Sequence, residues 1–282
     1  WEVPSLACCL LARHVRGVSR KSAAEAWEAA QRRPSPMEQA AIKVAKVTPK
    51  WLSEAAKDAA DDSEVEVIPD GVPGASKANF SRIYAREEWD GEALSGLGSR
   101  EETTREFRNF LEGFLQEHGV NSVVDAGCGH WPSGYQRFMN WQNVQYTGVD
   151  VVPYVVDENT RYLQDETMLS SHGLRSAQFI CGDVSENLPE GDLLLVKDVL
   201  MHLPNRAVYD FLEKSVNSKS PKYRVVMLVQ NAVPPVAIRE MVDIQPGQLL
   251  PFDITFPPFK ASFETVLRWQ SDEPKVVQIW RP

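Results

Sequence analysis

The chain has 282 residues, 43% of them apolar, enough for one sizeable α/β core with additional elements. Its 16 glycines and 19 prolines are near ordinary levels, which excludes a collagen-like or wholly disordered polymer. A net charge of −9 lacks the broad positive field that non-specific phosphate-backbone binding needs, so the charge argues against a nucleic-acid partner.

The charge is uneven: residues 1–50 hold nine Lys/Arg against four Asp/Glu. Such a basic leader fits a solvated helix, a partner-binding helix or a targeting remnant. The apolar run Leu6–Ala12 is too short to span a bilayer and lacks a preceding basic stretch. Trp1 in place of Met reads as a truncated or processed N-terminus. The four cysteines (Cys8, Cys9, Cys128, Cys181) form no disulfide framework and no zinc pattern. Their usage is that of a reducing compartment, cytoplasm or organelle interior.

Residues 1–61 read as a helical N-terminal extension. Ser22–Arg33 is a strong helix former closed by Pro34 and Pro36, and a second helical stretch runs from Met37 to about Ala60. Residues 62–78 read as an acidic, Gly/Pro-marked linker, and 79–282 as the main domain. Ser99-Arg100-Glu101-Glu102 has the form of a capping box. Phe107, Phe110, Leu111, Phe114 and Leu115 then recur on one face of a helix that Gly119 closes.

Beyond that helix the pattern becomes strand–helix alternation. The predicted strands are Ser122–Ala126, Val144–Asp150, Ala177–Cys181, Leu193–Lys197 and Arg224–Gln230, with a helix over Asn205–Val216. Two further β-rich runs, Glu264–Trp269 and Lys275–Trp280, flank the break at Ser271–Pro274. This predicts a doubly wound, mostly parallel seven-stranded α/β sheet with an antiparallel C-terminal hairpin. The Pro-rich stretch 233–263 shows neither helix nor strand and reads as a substrate-covering insertion, with Arg239, Asp243, Asp253 and Phe259 as substrate-wall candidates.

Ligands of doubly wound sheets bind outside the carboxyl ends of the strands. The first strand ends in Asp125-Ala126-Gly127-Cys128-Gly129-His130, where the glycines permit a tight turn and close backbone approach. An acid in this turn would repel a pyrophosphate but suits a ligand carrying a cationic amine and a sulfonium. The turn therefore favours S-adenosylmethionine over NAD. Asp150 ends the second strand, 25 positions after Asp125, where an acid can accept from a ribose diol. Gly182-Asp183-Val184 ends the third, with Asp183 placed for an adenine amino group. Lys197 and Asp198 end the fourth, followed by Val199-Leu200-Met201-His202-Leu203-Pro204.

With these motifs in order, residues 121–230 resemble the core of class I S-adenosylmethionine-dependent methyltransferases, and the final hairpin resembles that family's antiparallel seventh strand. Tyr84–Trp89, Ser95–Ser99, Lys197–Pro204 and Pro251–Phe259 extend the resemblance to a group of methyltransferase-like proteins that fixes no substrate. The resemblance implies cofactor contacts at Asp125, Gly127, Cys128, Gly129, Asp150, Val151, Gly182, Asp183, Val184, Lys197 and Asp198, with Ser99 and Arg105 as candidates for its carboxylate. Trp131 reads equally as a cofactor contact or a core aromatic.

Methyl transfer is an in-line displacement from an activated leaving group, so orientation and a dry site are the main needs. A hydroxyl acceptor also needs a base. Asp198 and His202, four apart, would share a face if a helical turn follows the fourth strand. His202 is the first acid/base candidate and His130 the second. The expectation is a metal-independent enzyme methylating a small molecule through N, O or S. The alternatives are a protein or RNA methyltransferase docking through the basic N-terminal helices, and a non-catalytic cofactor-binding module.

Overall fold

The structure is a computed structural model with side chains, describing residues 67–89, 93–232, 240–250, 252–271 and 273–282. The expected helices over 22–33 and 37–60, Cys8, Cys9 and Arg239 lie outside the described residues.

Seven strands form one sheet in the order β3-β2-β1-β4-β5-β7-β6. They are β1 (Ser122–Ala126), β2 (Val144–Asp150), β3 (Leu174–Cys181), β4 (Leu193–Lys197), β5 (Val225–Asn231), β6 (Glu264–Gln270) and β7 (Pro274–Trp280). The pairs within β3-β2-β1-β4-β5 are parallel. β7 pairs antiparallel with both β5 and β6. The chain winds outward from β1 through β2 to β3, then returns to β4 beside β1 and continues to β5. The topological switch point is therefore between β1 and β4, where an α/β sheet opens a crevice.

The helices are α1 (Ala75–Ala85), α2 (Glu101–Glu117), α3 (Pro153–Tyr162), α4 (Glu166–Ser171) and α5 (Asn205–Phe211), which runs on as a π-turn over Leu212–Val216. α1 begins inside the segment expected to be a linker.

Alternating side chains of each central strand enter two separate cores, as the period of two dictates. Val124, Ala126, Leu194, Val196, Val226 and Leu228 pack with α1, α3 and α5. Val123, Leu193, Leu195, Val225, Met227 and Val229 pack with Phe107, Leu111, Phe114 and Leu115 of α2. The apolar stripe read for α2 is thus its buried face. Trp131 is fully buried among Trp141 and Tyr146, so the core reading of that residue is correct.

The capping box at Ser99 does not form. Leu97–Ser99 make a 3-10 turn, Arg100 takes the N-cap position, and no side chain caps it. The Ser99 hydroxyl points back to the Ser95 carbonyl at 3.5 Å instead. Thr103 and Thr104 donate to the carbonyl of Arg100.

Candidate active site

Parallel winding brings the carboxyl ends of β1, β2, β4 and β5 to one edge of the sheet. Because β7 runs the other way, its first residues reach that same edge, where Lys275 pairs with Asn231. A cavity of about 380 Å³ opens there. Asp125, Gly127, Cys128, Gly129, Asp150, Val151, Gly182, Asp183, Val184, Lys197, Asp198, Ser99 and His202 all line it.

Gly127 and Gly129 have φ of +78° and +63°, a region that L side chains rarely enter. A Cβ on Gly127 would stand 2.3 Å from Val199 Cγ2, and one on Gly129 2.4 Å from Ser95 Oγ. Glycine at both positions lets the turn fit beneath its neighbours. The turn is fixed by Gly129, whose N–H donates to Asp150 Oδ2 at 2.9 Å, while Val152 N–H donates to Oδ1 at 3.0 Å.

Asp125 is buried at 1% exposure and accepts from the Tyr146 hydroxyl at 2.6 Å and from Gln136 Nε2 at 3.4 Å. Burial pushes both Asp125 and Asp150 up to about 6, against their hydrogen bonds. Asp183 accepts from the backbone and hydroxyl of Ser185 through Oδ1. Burial, with the nearby carboxylates, pushes the Cys128 thiol up, so it is a small apolar wall.

Past β4 the chain does not form the expected shared helical face. Asp198 adopts φ +55°, and a 3-10 turn over Leu200–His202 follows. Lys197 Nζ and Lys275 Nζ bracket the Asp198 carboxylate at 2.5 and 3.0 Å. Burial opposes its ionisation, but the two ammonium groups overrule burial and hold it at about 2. Asp198 is therefore a fixed charge held by two lysines, not one member of a helical face shared with His202. Lys197 Nζ also donates to the Gly98 carbonyl at 2.7 Å, tying the segment before α2 across the cavity.

His202 faces the Gln248 carbonyl through Nδ1 at 3.1 Å, so Nδ1 carries the proton and Nε2 the lone pair. Its ring lies 5.5 Å from Trp89 and 6.5 Å from Phe80. Burial lowers its pKa, which favours the neutral imidazole.

Five residues expected at the site stand elsewhere. His130 is buried outside the cavity lining with Nδ1 2.8 Å from Ser133 Oγ, and burial lowers it to about 4. Arg105 stands on the exposed face of α2, away from the cavity. Asp253 holds its own turn, accepting from the Thr255 backbone and hydroxyl and from Gln278. Phe259 packs on Phe252 and Tyr209, and Asp243 accepts from the Asn205 backbone at the start of α5. Of the described residues in 240–263, Leu249 alone lines the cavity.

The sequence reading missed Phe80, Tyr84 and Trp89 from α1 and its following turn, and Tyr135, Gln136, Asn231, Glu273 and Lys275. The one signal for the first group was the resemblance segment Tyr84–Trp89. For Lys275, the signal was the antiparallel direction of the last strand. Among the described residues no group of three or more His, Cys, Asp or Glu is placed to hold a metal ion. No described helix is long and apolar enough to cross a membrane.

The sheet order, with antiparallel β7 set between β5 and β6, is that of the class I methyltransferase fold. No protein-family model and no curated protein matches the chain. Solved structures that resemble it are methyltransferases. The magnesium protoporphyrin IX methyltransferase of Synechocystis PCC 6803 with bound SAM is 13% identical, with 77% of this chain and 98% of that chain covered at a TM-score of 0.45. The small RNA methyltransferase HEN1 is 14% identical, with 64% and 26% covered at 0.47. The mitomycin 7-O-methyltransferase MmcR is 16% identical, with 77% and 74% covered at 0.42.

Proposed function

We propose that the chain is an S-adenosylmethionine-dependent methyltransferase acting on a small-molecule acceptor. The observation that carries this reading is the convergence of Asp125, Asp150 and Asp183, from the ends of three successive strands, on one cavity floored by a positive-φ glycine turn. Six carboxylates and two lysines line that cavity. Such a field repels a pyrophosphate and favours a sulfonium nucleoside.

The residues fit that ligand. Asp150 keeps lone pairs on both oxygens after taking two backbone amides, and these serve a ribose diol. Asp183 Oδ2 is left for an adenine amino group, with Val151 and Val184 as apolar walls. Gly127 and Gly129 admit the methionine part, with Asp125 toward its amine. When bound, the donor supplies a methyl group on a sulfonium whose departure yields a neutral thioether. The chain's own part is to orient, to exclude water beneath the segment that Lys197 ties down, and to take a proton on His202 Nε2.

Exposed Leu97 and Leu249 stand at the lining together with Phe80 and Trp89, which supports a small acceptor with an apolar body. The macromolecular alternative rests on the basic residues 1–50. Deleting them while comparing small and macromolecular acceptors separates the two. Calorimetry with S-adenosylmethionine and its demethylated product tests the central reading. Both are expected to bind the wild type and to fail on Asp150→Ala. Absence of binding, or tight binding of NADH in its place, overturns it. A donor that binds with no methyl incorporation across an extract screen would favour the non-catalytic alternative.

A further inference from the structure

We infer that the methyl acceptor is an amine on an apolar body, recognised in its ammonium form; this rests on the methyltransferase reading above. The end of the cavity beyond β4 and β5 offers a ligand hydrogen-bond acceptors. Asn231 Nδ2 donates to Glu273 Oε2, and the reverse amide orientation would set two oxygens against each other. Asn231 Oδ1 is then a buried acceptor with no partner. A buried acceptor left unpaired is costly, and a bound donor that reaches it would offset that cost. His202 presents a second acceptor, the Nε2 lone pair, because Nδ1–H is committed to Gln248. Glu273 brings a carboxylate whose partner in the structure is the neutral Asn231 amide.

Charge separates the candidates for a donor. The cavity's two lysines are both engaged by Asp198. The remaining lining carboxylates leave a net negative field that disfavours carboxylate or phosphate acceptors. A hydroxyl has one proton to give and no charge, whereas an alkylammonium has three protons and a positive charge. Trp89 and Phe80 line the same wall beside His202, and aromatic faces also attract a cation. Burial next to a sulfonium lowers an amine's affinity for its proton. One proton leaves nitrogen through His202 to solvent, the nitrogen lone pair forms the new N–CH3 bond, and the C–S electron pair returns to sulfur.

The test uses the full-length protein saturated with S-adenosylhomocysteine, titrated by calorimetry with phenethylamine, phenethyl alcohol and hydrocinnamate. These share a phenyl body and differ in the polar end. The amine is expected to bind at least about tenfold more tightly than either of the others. Asn231→Leu is expected to reduce amine binding about tenfold with S-adenosylhomocysteine affinity unchanged, and Glu273→Gln to weaken it in the same direction without touching the buried strand end. A ranking led by the alcohol or the acid, or no amine binding, overturns the inference and leaves the cofactor reading standing. Failure of S-adenosylhomocysteine itself to bind sinks both.

Discussion

Lys275, the second residue of β7, reaches over β5 to Asp198, one residue past β4, closing Nζ on Oδ1 at 3.0 Å. Lys197 holds the other oxygen, so one carboxylate balances two buried ammonium groups from different parts of the chain. Removing one member of a buried charge group strands the others, which costs about 3–5 kcal/mol. Asp198→Asn is therefore expected to lose about 3 kcal/mol or more in urea unfolding. Lys275→Gln, which leaves Lys197 paired, is expected to lose less. Equal losses for the two variants would show that the three charges do not act as a group.

Asp125 and Asp150 give the site a pH dependence. Burial raises both to about 6 in the folded chain, above an unfolded value of about 3.9. The native state then binds extra protons between these values. The stability they confer is present below about pH 4 and lost as pH rises through about 6. A cationic donor needs both carboxylates charged, so its affinity runs the opposite way. Without ligand, the melting temperature is expected to carry a falling contribution across that window, while stabilisation by S-adenosylmethionine grows. A pH-independent affinity for the donor would remove these two carboxylates from its site.

β1, β4 and β5 were legible as short apolar runs with turn residues beside them, the mark of parallel strands buried on both faces; the more exposed β3 and the antiparallel β6 and β7 were legible from β-rich composition and from the break between the last two. Asp125, Asp150 and Asp183 were legible because a parallel strand's end is also its place at the ligand edge. The acceptor end was not. Trp89, Asn231 and Lys275 are far apart in sequence, and Lys275 reaches the edge from the start of an antiparallel strand. Asp253 misled because an acid in a Pro-rich segment looks free, whereas its carboxylate is taken by Thr255 and Gln278. Ser99 misled because the Lys197 contact to Gly98 fixes the entry to α2 in a way that no local pattern encodes.

Gly127 tests the turn by packing rather than by charge. Any side chain there meets Val199 Cγ2 at 2.3 Å and Cγ1 at 3.2 Å while also holding φ at +78°. The two penalties together predict a loss of about 2–4 kcal/mol for Gly127→Ala. Val199→Ala removes the collision but not the backbone strain, so the double variant is expected to recover roughly half of that loss. Full recovery would mean that the left-handed conformation costs nothing here; no recovery would mean that Val199 is not the obstacle.

His202 and His130 make opposite predictions although both were sequence candidates for the base. His202 lines the cavity with Nε2 unprotonated, and His130 is enclosed with its Nδ1 on Ser133. A general base contributes about 10²–10⁴-fold, so His202→Gln is expected to lower kcat by about 100-fold with the donor's Kd unchanged. His130→Gln is expected to turn over at a near-native rate and to unfold more easily. Because burial lowers the His202 pKa, the acid limb of the wild-type rate profile should fall below the ordinary histidine range, and His202→Gln should abolish that limb. An acid limb that survives His202→Gln, or one that disappears in His130→Gln, would assign the proton to another group.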